Sequence, residues 1–115
     1  MKISGIVQKG QQRARDFGYP TANIHLDSYN KEPGTYAAHA TVFGSTYPAA
    51  AYISKRHGAW MCEVHLFDVE MNLYGAEMTV DLLSHVSPID PFESRQQMQK
   101  KIHKDMRDVR FFHNP

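Results

Sequence analysis

The chain has 115 residues, 42 % hydrophobic and 22 % charged, with a formal net charge of +1 and a single cysteine. That length supports one hydrophobic core rather than two, and the composition excludes a disordered chain. Near-neutral charge argues against a general polyanion binder, so no nucleic-acid partner is expected, and a lone Cys62 excludes an internal disulfide or a cysteine-built zinc site.

Most of the chain reads as short strands. Residues 2–8 and 47–53 are expected strands, and three others show a clear period of two. In 35–43, Tyr36, Ala38, Ala40 and Val42 share a face. In 60–67, Trp60, Cys62, Val64 and Leu66 share one face while Met61, Glu63, His65 and Phe67 take the other. In 77–83, Met78, Val80 and Leu82 stand together. Turn pairs separate these runs at Pro33-Gly34, Gly44-Ser45, His57-Gly58 and Tyr74-Gly75. Several short strands divided by turns predict a closed or nearly closed antiparallel sheet.

The last twenty-five residues change period. Asp90-Pro91-Phe92-Glu93 reads as a helix start with Asp90 as N-cap and Glu93 closing a capping box. Met98, Ile102, Val109 and Phe111-Phe112 then predict an apolar stripe, with the basic residues of this segment on a solvated face. No apolar run approaches the roughly 18–20 residues of a membrane span, and the N-terminus lacks a signal-peptide pattern. The expectation is a cytoplasmic monomer with no membrane partner and one domain over 1–115.

Two places could carry chemistry. The stretch KGQQRARDFGYPTAN, residues 9–23, is no P-loop, but its glycines let backbone approach an anion and Arg13 and Arg15 could neutralise phosphate. Thr21 and Asn23 offer neutral oxygens one residue apart to a hard cation such as Mg²⁺, with Ala22 turned to the core. The same stretch also reads as a polar connection turned by Pro20. Glu63 stands mid-strand, either on a solvent face or in a cleft where it could take a proton from a hydroxyl. From the residues alone, the solvent face is the expected place. Cys62 falls on the core face as an inert thiol, and the seven histidines show no ligand spacing, with His65 notable only for sharing Glu63's face.

Taken in order, these segments resemble the riboflavin kinase (flavokinase) family. SGIVQKG is similar to its Gly-x-Val-x-x-Gly opening, ARDFGYPTAN to Gly-Arg-x-Leu-Gly-Phe-Pro-Thr-Ala-Asn, and PGTYAAHA to a Gly-Val-Tyr-Ala segment. CEVHLFDVEMNLYG resembles Glu-Val-His-Leu-Leu-Asp-Phe followed by Asp-Leu-Tyr-Gly, and FESRQQMQKKIHKDM the family's C-terminal helix.

The resemblance implies a mainly β fold, a six-stranded antiparallel Greek-key-like barrel with a C-terminal α-helix packed against it. It implies ATP-dependent phosphorylation of the riboflavin 5′-hydroxyl to FMN, with riboflavin and ATP as small-molecule substrates. Gly10 and Arg15 would clasp the phosphates, Thr21 and Asn23 would hold Mg²⁺ and phosphate, and Glu63 would be the general base. The chain departs from the pattern at Ala14, at Asn72, at Ser87 and in a shortened segment 53–62. These departures keep a second expectation open: a flavin- or nucleotide-binding module of the same fold with weak or no catalysis.

Overall fold

A computed structural model describes residues 1–8 and 17–115. Gly10, Ala14 and Arg15, with the clasp expected of them, lie outside the described residues.

Six strands form one antiparallel sheet: β1 (Lys2–Ile6), β2 (Ala22–Leu26), β3 (Gly34–Val42), β4 (Ser45–Arg56), β5 (Ala59–Leu66) and β6 (Glu77–Ser87). Their lateral order is β1-β6-β3-β4-β5-β2. The two edges approach each other, and the Gln8 amide donates to the Asn23 carbonyl at 2.7 Å, so the sheet curls into a nearly closed barrel. Gly5 permits this: a methyl group there would lie 2.6 Å from Ile24 Cγ2 on β2. One helix, α1 (Arg95–His113), packs on the outside. No described helix is long and apolar enough to cross a membrane.

The alternating faces hold as predicted. Tyr36, Ala38, Ala40, Val42, Cys62, Val64, Leu66, Met78, Val80 and Leu82 all enter the barrel core, with Trp60 packed against it. The strand at 47–53 is longer than expected, running from Ser45 to Arg56. Strand β2 was not visible as an alternating run, yet Ala22, Ile24 and Leu26 point into the core.

The helix start needs correction. Ser94, not Asp90, is the N-cap, and its hydroxyl accepts from the Gln97 amide at 3.1 Å. Gln97 Oε1 accepts from the Glu93 amide at 2.9 Å, so the cap operates one turn later than the Asp-Pro pair suggests. The stripe also differs. Val109 is fully buried against Ala37, Ala50 and Phe67, with Met106 beside them, while Phe111 and Phe112 are exposed. Ala37 and Ala50, both on the outer face of the barrel, are small enough for the helix to sit close. Arg110 then pins the helix by pairing with Asp68 at 3.1 Å and lying over the Phe67 ring.

Gly34 opens β3 at φ +128°, and a methyl group there would fall 2.2 Å from the Ser87 carbonyl oxygen. Gly44, in the β3–β4 turn at φ +78°, has open space around it. Gly44→Ala therefore bears only the left-handed backbone cost of about 1–2 kcal/mol. Gly34→Ala adds a collision with backbone and should lose more than about 3 kcal/mol by urea denaturation. Equal losses for the two would contradict this account of strand β3.

Candidate active site

Register builds the site. Asn23 stands opposite Glu63, Glu63 opposite Tyr52, Tyr52 opposite Thr35, and Thr35 opposite Ser87. These five polar residues form one lateral row across β2, β5, β4, β3 and β6, on the face away from the barrel core. Helix α1 crosses above part of that row, and a slot of about 90 Å³ lies between them. Thr21, Tyr52 and Glu63 line it from the sheet, and Phe92, Met98 and Ile102 line it from the helix side.

Glu63 is 8 % exposed, so the expectation of a solvent face is corrected: it lies at a slot that α1, from far along the chain, helps to line. Its carboxylate Oε2 lies 3.7 Å from Arg56 Nη2. Cys62 points the other way, into the barrel; burial first, then the neighbouring Glu63 charge, pushes its thiol up to about 12, which keeps it unreactive.

Thr21 and Asn23 occupy the end of the row beside Glu63. Asn23 is 2 % exposed, and among the described residues neither its Nδ2 nor the buried Thr21 hydroxyl has a hydrogen-bond partner. Two unspent polar groups at adjacent outward positions are costly in a folded protein unless something arrives to meet them. A second cavity of about 420 Å³ opens at the barrel end, lined by Gln8, Glu70, Asn72 and Tyr74 among others. Thr21 borders both cavities, so it stands at their junction.

His65 holds the approach to Thr21. Its Nδ1–H donates to the Pro20 carbonyl at 2.8 Å, and the ring lies edge-on to Tyr19 and Phe67. Tyr19 in turn reaches His103 Nδ1 of α1 at 2.7 Å, and Arg95 of α1 lies over Phe17. The segment before Thr21 is thus tied both to β5 and to the helix.

Sequence reading missed Tyr52, Arg56, Lys101 and Asp105. Lys101 is not on a solvated face: it pairs with Asp105 at 2.7 Å and donates to Ser87, on the inner side of the helix. Ser87, a departure from the family pattern, thus meets a cation from α1. The available signal was a carboxylate inside an apolar spacing, Ile102-x-x-Asp105-x-x-x-Val109.

Burial lowers the His65 pKa from its ordinary value of 6.5, against a smaller opposing effect of the Pro20 hydrogen bond. The native state therefore binds fewer protons at this group than the unfolded chain does. The stability that His65 contributes is present above the unfolded value and is lost as pH falls through the folded one. Wild type should lose more stability between pH 7 and pH 5 than His65→Gln, by urea midpoints at each pH. Parallel curves for the two proteins would remove His65 as the source.

Comparison with known proteins agrees with this geometry. The family model described as "Flavokinase: Riboflavin kinase" matches residues 1–113. The bifunctional riboflavin kinase/FMN adenylyltransferase of Bacillus subtilis is 34% identical over 122 residues, covering 97% of this chain and 39% of the relative. A solved chain named macrolide-efflux protein from Streptococcus pneumoniae superposes with a TM-score of 0.82 at 28% identity, covering 95% of this chain and 38% of that one. Riboflavin kinase from Trypanosoma brucei shares the fold, with a TM-score of 0.66 at 24% identity over 99% of this chain and 80% of that one. The chain spans about two-fifths or less of the length of the first curated relatives it matches. A match over nearly every residue, joined to the barrel and its outer helix, places the chain in the flavokinase (riboflavin kinase) family.

Proposed function

We propose that this chain is an ATP-dependent riboflavin kinase, moving the γ-phosphoryl group of ATP to the riboflavin 5′-hydroxyl. The observation that carries the reading is the placement of buried Glu63 beside the unspent Thr21 and Asn23, where two cavities meet. Family membership supports the choice of substrates.

In this reading riboflavin enters the slot beneath α1 and ATP the larger cavity at the barrel end. The slot is narrower than the clefts of about 300–1,000 Å³ that hold small ligands. Seating a tricyclic ring therefore takes an outward shift of the Phe92–Met98 side. That side is the more yielding one, since the fully buried Val109 and the Arg110 pair with Asp68 hold the other end of the helix.

Glu63 accepts the proton of the 5′-hydroxyl as its oxygen bonds to phosphorus and the bond to ADP breaks. Arg56 lies close enough to orient the carboxylate. The Thr21 hydroxyl and the Asn23 carboxamide suit Mg²⁺, because both are buried neutral groups and the Thr21 oxygen has no partner. Which end of the Asn23 amide faces the site is set by what binds: its oxygen toward a cation, its nitrogen toward phosphate. Bound there, Mg²⁺ would supply neutralising charge to the transferred phosphoryl group. Gly10 and Arg15, outside the described residues, are the residues this reading assigns to the ATP phosphates. Phosphoryl transfer asks mainly for position and charge neutralisation, so one base and one cation site suffice.

Glu63→Gln keeps the shape and removes the base. It should bind riboflavin and ATP within a few fold of wild type while kcat falls by about 10²–10⁴, measured as FMN formed with Mg²⁺ and ATP. A variant turning over like wild type would exclude Glu63 as the base. A wild-type chain that binds both substrates without forming FMN would mark a binding module instead.

A further inference from the structure

One carboxylate oxygen of the helix–barrel interface is left without a partner. Asp105 is 4 % exposed on the inner face of α1. Its Oδ2 accepts from the Thr35 hydroxyl at 2.9 Å and from Lys101 Nζ at 2.7 Å. Lys101 also donates to Ser87 and lies 3.7 Å from Asp90, so its ammonium is directed at protein groups. Asp105 Oδ1 is buried with no hydrogen-bond partner among the described residues, and Asp105 borders the slot beneath the helix. An ionised carboxylate only accepts, so what completes it must be a donor. The slot it borders mixes apolar walls, Ala50, Ala51, Ile102 and Met106, with the polar Thr35, Tyr52 and Lys101.

Position selects the donor. Thr35, which anchors Asp105, stands two strands from Glu63 in the lateral row, about 10 Å away at ordinary strand spacing. The reacting hydroxyl belongs at Glu63. The ribityl secondary hydroxyls lie between that hydroxyl and the ring, whereas the imide N3–H sits on the ring itself, remote from the reacting end. We propose that Asp105 Oδ1 accepts the imide N3–H of the riboflavin ring and so determines which ring edge the acceptor site admits. The inference rests on the riboflavin kinase reading, and adds to it a contact at the end of the slot opposite the chemistry.

The test compares riboflavin with N3-methylriboflavin, which lacks the donor, by quenching of flavin fluorescence on wild type and Asp105→Asn. Wild type should bind riboflavin at least about tenfold more tightly than the N3-methyl compound, because a buried acceptor left unmet penalises the analogue. In Asp105→Asn, the donors Thr35 and Lys101 both require the amide oxygen, so the amide nitrogen turns toward the slot. Riboflavin affinity should then fall about tenfold, donor facing donor, while the N3-methyl compound changes less than about twofold.

If Asp105→Asn weakens both compounds equally, Asp105 only supports the helix and the proposal is overturned. If wild type binds both compounds equally, the proposal also fails, without any variant having to fold, and the kinase reading stands. If wild type binds no riboflavin at all, the kinase reading falls and takes this contact with it.

Discussion

The row Asn23–Glu63–Tyr52–Thr35–Ser87 exists because β2, β5, β4 and β3 keep one register and two register shifts between β3 and β6 bring Ser87 opposite Thr35. Side chains alternate across a strand, so a slip of one residue would send Glu63 into the barrel and Cys62 out of it. The core prevents the slip: Ile24, Ile53, Cys62, Val64 and Val80 are buried at 0–1 % exposure on the inner face. Barrel packing and site geometry are therefore one constraint seen from two sides. Gly5, by letting β1 lie close across β2, helps bring together the sheet edges at which Asn23 is held.

The outer helix turns that row into a site. A polar row on an open barrel face would be ordinary solvated surface. Helix α1 crosses part of it and leaves a slot, bordered by the buried Glu63 and Asp105, where apolar helix side chains face polar sheet ones. The contacts that attach the helix differ along its length. Val109, the Arg110–Asp68 pair and the His113 hydrogen bond to the Ala49 carbonyl hold its C-terminal half. Its N-terminal half rests on Lys101, on His103 against Tyr19 and on Arg95 against Phe17. The last two contacts land on the segment that leads into Thr21. Flavin entry beneath the helix and phosphate capture near Thr21 are thereby mechanically linked in the proposed reading.

Local pattern carried much of the fold. Strands β3, β5 and β6 were legible because their outer and inner residues differ in polarity at a period of two. Strand β2 was not, since five residues with Asn23 and His25 facing outward read like the end of a polar loop. Asp90-Pro91 imitates a helix start and so masks the true N-cap, Ser94, which has Gln97 at the capping distance. The site was legible in part. Thr21, Asn23 and Glu63 stood out by type and by family resemblance, but the slot at which Glu63 is buried is lined in part by a helix more than thirty residues later. Asp105 and Lys101 were hidden for the same reason: charges on a helix read as surface until the barrel beneath them is known.

The central claim is that Thr21 marks the meeting point of two substrates between which a phosphoryl group passes. The most direct measurement follows a radiolabelled γ-phosphoryl group in a single turnover with excess purified chain, riboflavin, ATP and Mg²⁺. The account predicts label in FMN, appearing in step with ADP. Label released only as inorganic phosphate, or retained in ATP while riboflavin stays bound, would contradict it.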